Sequence, residues 1–262
     1  MAKMNNAPIE YVIGVVRFPV VVDAEKFAGN LQSLINDEYP FSSDLTVPQI
    51  AVQIDQDGVK VQQEDVLLWQ FQSADRDWAV FVNKGLIGLH TRAYDTHEDF
   101  IARLLHVVRA AATIEGRHLR FVETVALRYL DLVVPLDGET VAHYINSAVV
   151  STALELPGFE YRNSIQSFVL EQEGSRMRVQ VARNPQAVIP PDLASPLIQQ
   201  NEWHIARPGG EFATIDVDHA RTYPRGTELE GIDIEADLFS LRQPVRDIFD
   251  RIATPHALEV WK

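Results

Sequence analysis

The sequence contains no cysteine, so disulfide bonds, thiolate metal sites and a cysteine nucleophile are excluded. A chain without thiols fits the reducing cytosol, where disulfides are rare. No apolar run reaches the ~18–20 residues that a membrane-spanning helix needs. Residues 1–8 also lack the apolar core of a secretory signal. We therefore expect a cytoplasmic protein without a membrane segment.

An excess of basic residues is missing as well. The chain has 23 Lys and Arg against 37 Asp and Glu, which gives a formal net charge of −14. Such a surface repels the phosphates of nucleic acids and anionic lipids. The composition therefore argues against nucleic-acid and membrane partners, and the charge serves either solubility or contact with a basic face of another protein.

The common catalytic fingerprints do not occur. The sequence has no G-x-G-x-x-G, no phosphate loop, no H-E-x-x-H and no G-x-S-x-G. This argues against the common dinucleotide-binding, nucleotide-hydrolysing, zinc-protease and α/β-hydrolase classes. The missing motifs do not exclude an enzyme with an unfamiliar site.

What the sequence does contain is a mixed pattern of strands and helices. Period-2 and continuous apolar runs predict strands, and i, i+3, i+4 spacing predicts helices. In the first part these are a strand at 9–22, a helix at 24–36, a hairpin at 49–62 around Asp57-Gly58, strands at 66–73, 78–83 and 86–91, and a long helix at 96–113. In the second part they are a strand at 121–134, a helix at 139–152, hairpins at 164–183 and 199–217, and a long helix at 236–253.

The order of these elements repeats. Each part reads strand, helix, antiparallel strands and long helix, and Val16-Arg17-Phe18 corresponds to Leu127-Arg128-Tyr129. We therefore predict an α+β fold of two similar halves, residues 1–118 and 119–262, with sheets packed on the long helices. The halves would join edge to edge or pack face to face, or form one integrated domain. A chance similarity of order is the alternative.

Arg17 and Arg128 are the most informative polar residues, because each interrupts an apolar strand. A buried guanidinium must bind carboxylates or carbonyls, since an unpaired buried charge is very costly. One interpretation is a paired anion site. The other is a salt bridge to a nearby acid such as Glu10, Glu123 or Asp131.

The predicted hairpin at 199–217 carries a second polar group. Glu202 and His204 share one strand face, Asp216 and Asp218 share a face of the return strand, and His219 points the other way. These are proper ligand types for Zn²⁺ or Mn²⁺, but polar residues alternating with apolar ones also mark a half-solvated strand. We favour the second interpretation and predict no metal and no cofactor. The candidate ligand-binding residues are then Arg17, Arg128, His204 and Asp216.

Three short stretches resemble a sporadically distributed bacterial family that carries no assigned activity. They are Asn6-Ala-Pro-Ile-Glu10, Leu127-Arg-Tyr-Leu-Asp131, and the closing stretch from Phe249 and Ile252 to Leu258-Glu-Val-Trp261. The resemblance spans essentially the whole chain. It implies a bacterial, cytoplasmic origin. The family's patchy distribution is typical of accessory genes such as defence or toxin-linked loci.

We predict a non-catalytic protein-binding or accessory factor. The acidic surface suits a protein partner or self-association, and an exposed sheet edge or a concave face between the halves would make the contact. The alternative is a small-ligand-binding protein or an enzyme, with a pocket between the sheet and the long helices.

Overall fold

A computed structural model describes residues 6–55, 58–116, 119–149, 157, 159, 162–194, 197, 201, 203 and 205–262, with the main chain alone for 47–55 and 58–65. Nine strands form one antiparallel sheet. They are β1 (Ile9–Arg17), β2 (Phe41–Asp55), β3 (Gly58–Gln72), β4 (Trp78–Asn83), β5 (Leu86–Thr91), β6 (Thr124–Val133), β7 (Ser164–Gln172), β8 (Ser175–Arg183) and β9 (Ala213–Thr222). Their order across the sheet is β2-β3-β4-β5-β1-β6-β9-β8-β7.

The protein is therefore α+β, but the predicted division into two similar halves, each with long helices packed on its own sheet, is wrong. A single sheet runs through both parts of the chain because β1 pairs with β6, from Ile9 opposite Asp131 to Arg17 opposite Thr124. The sequence pattern shows where strands lie, but the choice of partner depends on contacts between distant residues. The repeated order of elements therefore could not predict which strands pair.

The described residues form several α-helices, some of which begin directly after a capping side chain. They are α1 (Ala24–Ile35), α2 (His97–Ala112), α3 (Val141–Tyr144), α4 (Pro191–Leu193), α5 (Ile234–Ile252) and α6 (Pro255–Val260). The carboxylate of Asp23 accepts a hydrogen bond from the Lys26 main-chain N–H, and the hydroxyl of Thr96 accepts one from Asp99. Each cap satisfies a main-chain donor that the first helical turn leaves free.

Both faces of the central strands are covered. On one face α1, α2 and α5 pack against a large core that includes Val12, Val16 and Leu127. On the opposite face Tyr11 and Ile13 belong to a smaller cluster. The cover of that second face comes from the segment 189–205, through Leu193, Leu197 and Trp203 with Ile189 and Ile205 beside them. This explains why β1 is apolar on both sides, as the sequence predicts for a central strand.

Two predicted elements of the second part are wrong. Within the described residues up to 149, the helix expected at 139–152 is only the four-residue α3, because Ile145 bridges to Ala253 and the Asn146 N–H donates to the carbonyl of Ile252 at 2.7 Å. Residues 150–152 lie outside the described residues. The described residues do not form the hairpin expected at 199–217, of which residues 199, 200, 202 and 204 lie outside the described ranges. Strand β9 begins at Ala213 and pairs with β6 and β8 instead, and the described residues between 201 and 206 are not in a strand.

The last residues dock on the protein's own core. Trp261 is buried beside Tyr144 and Phe249, with ring centroids 6.0 and 5.6 Å away. Its carbonyl accepts a hydrogen bond from the Asn6 N–H at 3.1 Å, which ties the two ends of the described chain together. Among the helices in the described ranges, none combines the length and the apolar character needed to cross a membrane.

Gly14 allows α2 to approach β1 closely, which yields a test of the packing. A Cβ atom at this position would lie 2.8 Å from Leu104 Cδ2 and 2.9 Å from Phe100 Cε1. Gly14→Ala is therefore expected to lower the free energy of unfolding by about 1–3 kcal/mol through overpacking, measured by urea titration.

The matched control is Gly29→Ala on α1, where a Cβ would meet nothing within 4 Å. Removing a glycine from a helix should raise the free energy of unfolding by about 0.5–1 kcal/mol. Equal stability of the two variants would contradict the packing of α2 on β1.

Candidate functional site

The guanidinium of Arg128 is held between two carboxylates. Its Nε and Nη2 atoms donate to the two oxygens of Asp216, each at 2.7 Å. Its Nη1 and Nη2 atoms donate to Asp192 at 2.5 and 3.3 Å. Both bonds to Asp216 run parallel, which is the strong bidentate geometry of an arginine–carboxylate pair.

Strand register explains how these groups meet. In the pairing of β6 with β9, Leu130 lies opposite Asp216 and Arg128 lies opposite Asp218, so Arg128 reaches Asp216 diagonally. Because side chains alternate along a strand, these polar residues share the sheet face opposite the long helices. Asp192 comes from α4, in the segment that crosses this face.

The opposite charges of Arg128 and Asp192 shift each other's pKa values toward the charged forms. Burial would raise the pKa of Asp192, but the hydrogen bond from Arg128 and its charge outweigh that and hold the pKa below its usual range. Burial would likewise lower the pKa of Arg128, yet the two carboxylates raise it. For the Asp218 carboxyl, burial raises the pKa. The arginine therefore stays charged, and its charge is largely neutralised inside the protein.

The structure brings together two of the four predicted ligand-binding residues. Arg128 and Asp216 form the buried pair, whereas Arg17 is exposed and lies opposite Thr124, at the far end of the strand pair from Asp131. His204 lies outside the described residues, as does Glu202. Glu10, Glu123 and Asp131 are the acids that the sequence suggests as partners of the two arginines, but Arg128 binds Asp216 and Asp192 instead. A ligand-binding role for Arg128 and Asp216 stays a prediction, in which an anion would have to displace Asp192.

A second buried polar group, which the sequence did not indicate, surrounds His90. The Tyr11 hydroxyl lies 2.7 Å from His90 Nδ1, and Trp203 packs on the imidazole with ring centroids 4.9 Å apart. Burial lowers the pKa of His90 to about 3, so the ring is neutral at physiological pH. The Gln70 amide nitrogen lies 3.5 Å from His90 Nε2, while its buried Oε1 makes no hydrogen bond within the described part of the chain. This group joins three elements under the cover segment and leaves one buried acceptor open.

A third polar group lies on the helix face of the sheet, around Asp131 near the end of β6. Burial raises the pKa of Asp131 to about 7, although the positive charges of Arg242 and Arg246 on α5 lower it. The Arg242 guanidinium lies 4.9 Å from the centre of the Tyr129 ring, and the Tyr129 hydroxyl is 3.1 Å from His97 Nδ1. This carboxyl therefore titrates near neutral pH, inside the layer between sheet and helix.

The open end of the sheet is a different kind of feature. Among the described strands β7 pairs with β8 alone, so its outer main-chain N–H and C=O groups face away from the sheet. Ile165, Val169 and Leu170 are 60%, 43% and 44% exposed on this strand. Exposed apolar side chains on an unpaired edge form a template for another strand.

The opposite edge of the sheet, formed by β2, differs from the β7 edge because it contains a proline. Strand β2 contains Pro48, which has no N–H to donate, and proline on an edge strand limits pairing with another chain. Strand β7 contains neither proline nor lysine, and its one charged residue is Glu171. The β7 edge is therefore the better candidate for a contact with a partner.

Within the described ranges, no group of three or more His, Asp or Glu side chains is arranged to hold a metal ion. A comparison with protein-family models finds none that matches the chain, and a search of curated proteins finds no relative. The family resemblance of the three short stretches therefore stays a prediction.

The buried ion pair gives a test of stability. Arg128→Met leaves Asp216 as a buried charge without its partner, so we expect a loss of about 3–5 kcal/mol in the free energy of unfolding. Arg128→Met combined with Asp216→Leu removes both charges and is expected to lose less than the single variant. Chemical denaturation of both variants measures the difference.

The matched control for this pair is Arg17→Met, which removes an exposed arginine from the neighbouring strand and should change stability by no more than about 0.5 kcal/mol. The buried pair would be refuted if Arg128→Met cost no more than this control.

Asp131 gives a test by pH. Its folded pKa of about 7 lies above the ordinary value of 3.8, so the folded protein binds this proton more tightly than the unfolded chain. The stabilisation is present at low pH and is lost as pH rises between these two values. Relative to Asp131→Asn, the wild type should lose stability on the order of 1–4 kcal/mol between about pH 4 and pH 8.

Asp192→Asn serves as the contrast, because a lowered pKa reverses the sign of the dependence. The loss in free energy of unfolding that Asp192→Asn causes should therefore become smaller as pH falls. Parallel pH profiles for the wild type and Asp131→Asn would contradict the buried position of Asp131.

Proposed function

We propose that this chain is a protein-binding factor of the bacterial cytoplasm, which binds an extended segment of a partner protein along the edge of β7. The observation that carries the proposal is the outer edge of β7, which pairs with no other strand among the described residues and on which Ile165, Val169 and Leu170 are exposed. The segment would add a tenth strand, so that its main chain forms hydrogen bonds with β7.

The side chains of β7 would give such contact its specificity. Ile165 and Val169 lie opposite Ala182 and Arg178 of β8, on the face away from the long helices, while Leu170 lies opposite Met177 on the helix face. An added strand would therefore meet apolar side chains on both of its faces. Burial of apolar area is a main source of affinity in such contacts, while main-chain hydrogen bonds fix direction and register.

Charge points to the kind of partner. The net charge of −14 opposes self-association at long range and favours a partner of basic net charge. Arg178 is paired with Asp218 at 3.8 Å and Arg176 with Glu171 at 3.3 Å, so the arginines beside the edge are already balanced. We therefore propose a basic protein with an extended apolar segment as the partner, with a second copy of this chain as the alternative.

Ile165→Lys tests this contact. The side chain is largely exposed and lies opposite Ala182, so lysine should leave the fold intact while placing a charge where the added strand would bury it. Protein purified gently from its host and analysed by native mass spectrometry should carry a partner at fixed stoichiometry. The Ile165→Lys variant should lose it.

The control is Leu34→Lys on α1, which is 49% exposed and lies far from β7 in the fold. It should retain the partner. A partner that Ile165→Lys retains, or that both variants lose equally, would argue against the β7 edge. A homodimer that Ile165→Lys dissociates would replace the basic partner by a second copy.

A further inference from the structure

A serine and a histidine form a hydrogen-bonded pair between the sheet and α5. Ser175, the first residue of β8, lies 2.6 Å through Oγ from Nε2 of His219 on β9. The other ring nitrogen, Nδ1, lies 2.9 Å from the carbonyl oxygen of Leu241 on α5. The pair therefore connects two neighbouring strands and the helix above them.

The direction of these hydrogen bonds follows from the chemistry of the carbonyl. A carbonyl oxygen can only accept, so His219 Nδ1 must carry a hydrogen. In the neutral ring Nε2 is then an acceptor, and the Ser175 hydroxyl donates to it. This is the polarity of a serine nucleophile next to its general base, with the base oriented by a third group.

The base is neutral at physiological pH. Burial lowers the pKa of His219, and the nearby charge of Arg221 acts in the same direction, while the hydrogen bond to Leu241 opposes both. A neutral imidazole is the form that can take a proton from serine.

Arg221 faces Ser175 across the pair of strands, directly opposite it in the pairing of β8 with β9. Its guanidinium is held by Asp237, through Nη1, and by the Ser240 hydroxyl at 3.2 Å from Nη2. The Asp237 carboxylate therefore balances the charge of Arg221, and this ion pair holds the end of β9 to α5.

The setting excludes most water but stays near the surface. Ser175 is 7% and His219 is 4% exposed, and Ser175 directly follows the exposed two-residue turn Glu173-Gly174. The hairpin brings the serine to the end of the sheet, where the ends of β8 and β9 meet α5. The Ser175–His219 pair therefore lies in a low-dielectric environment close to the surface, at the end of the hairpin.

From this geometry we propose that Ser175 is a nucleophile for acyl transfer from ester-type donors, with His219 as its general base. The Oγ atom forms a bond to the carbonyl carbon while its proton moves to His219 Nε2. The carbon–oxygen bond to the leaving alcohol then breaks, and the same proton leaves with that alcohol. The product is an acyl-serine, which water hydrolyses in the reverse sense to return free Ser175.

The test uses a fluorophosphonate reagent on the purified full-length chain, which forms a serine–phosphorus bond and releases fluoride. We expect one adduct per chain, which peptide mapping places on Ser175. Ser175→Ala should abolish it, and His219→Asn should slow labelling by about 100-fold or more. Ser167→Ala, on the same hairpin, should label like the wild type.

Peptide mapping of the wild type does not depend on whether a variant folds, and melting temperatures identify any variant that does not. The proposal is overturned if Ser175 stays unlabelled under conditions that label a known serine esterase. It is also overturned if folded His219→Asn labels at the wild-type rate, because the pair would then serve to hold α5 on the sheet.

Discussion

The pairing of β1 with β6 is the constraint on which the rest of the structure depends. It joins five strands on one side to four on the other in a single sheet. Both faces of these two strands are covered, by the long helices on one side and by the segment around Trp203 on the other. A polar side chain on the central strands must therefore find its partner inside the protein, because water is excluded there.

Several of these buried polar groups also hold the covering layers in place. Arg128 reaches Asp192 on one face, and His219 reaches the Leu241 carbonyl on the other. Each contact connects the sheet to an element that packs on it. The polar groups at the centre thus fix where the covers sit, while the sheet edges lie outside this network. The strand addition that we propose at the β7 edge would leave the core in place.

The sequence predicted local structure well, for local reasons. Asp23 and Thr96 mark helix starts through hydrogen bonds to residues three positions away. Strands β7 and β8 form the hairpin predicted at 164–183, with the turn at Glu173-Gly174, where Gly174 has a positive φ of 68° that such a turn requires. The even–odd alternation of β9 also placed Asp216 and His219 on opposite faces, as observed.

The candidate sites could not be predicted in the same way, since their members are far apart in the chain. Arg128 and Asp216 are separated by 88 positions, Tyr11 and His90 by 79, and Ser175 and His219 by 44. Only the register of distant strands brings these residues together, and the local patterns of a single sequence do not reveal that register. Arg17 shows the opposite case, because its resemblance to Arg128 in local context did not give it a similar environment.

Hydrogen exchange of the free protein, resolved along the chain, tests this account most directly. Amides of β1 and β6 should exchange together and most slowly, through global unfolding, because one sheet holds them. Amides of β7 should exchange much faster, as an open edge allows. Exchange of β1 and β6 as two independent groups, or a β7 as strongly protected as the centre, would contradict a single sheet with an available edge.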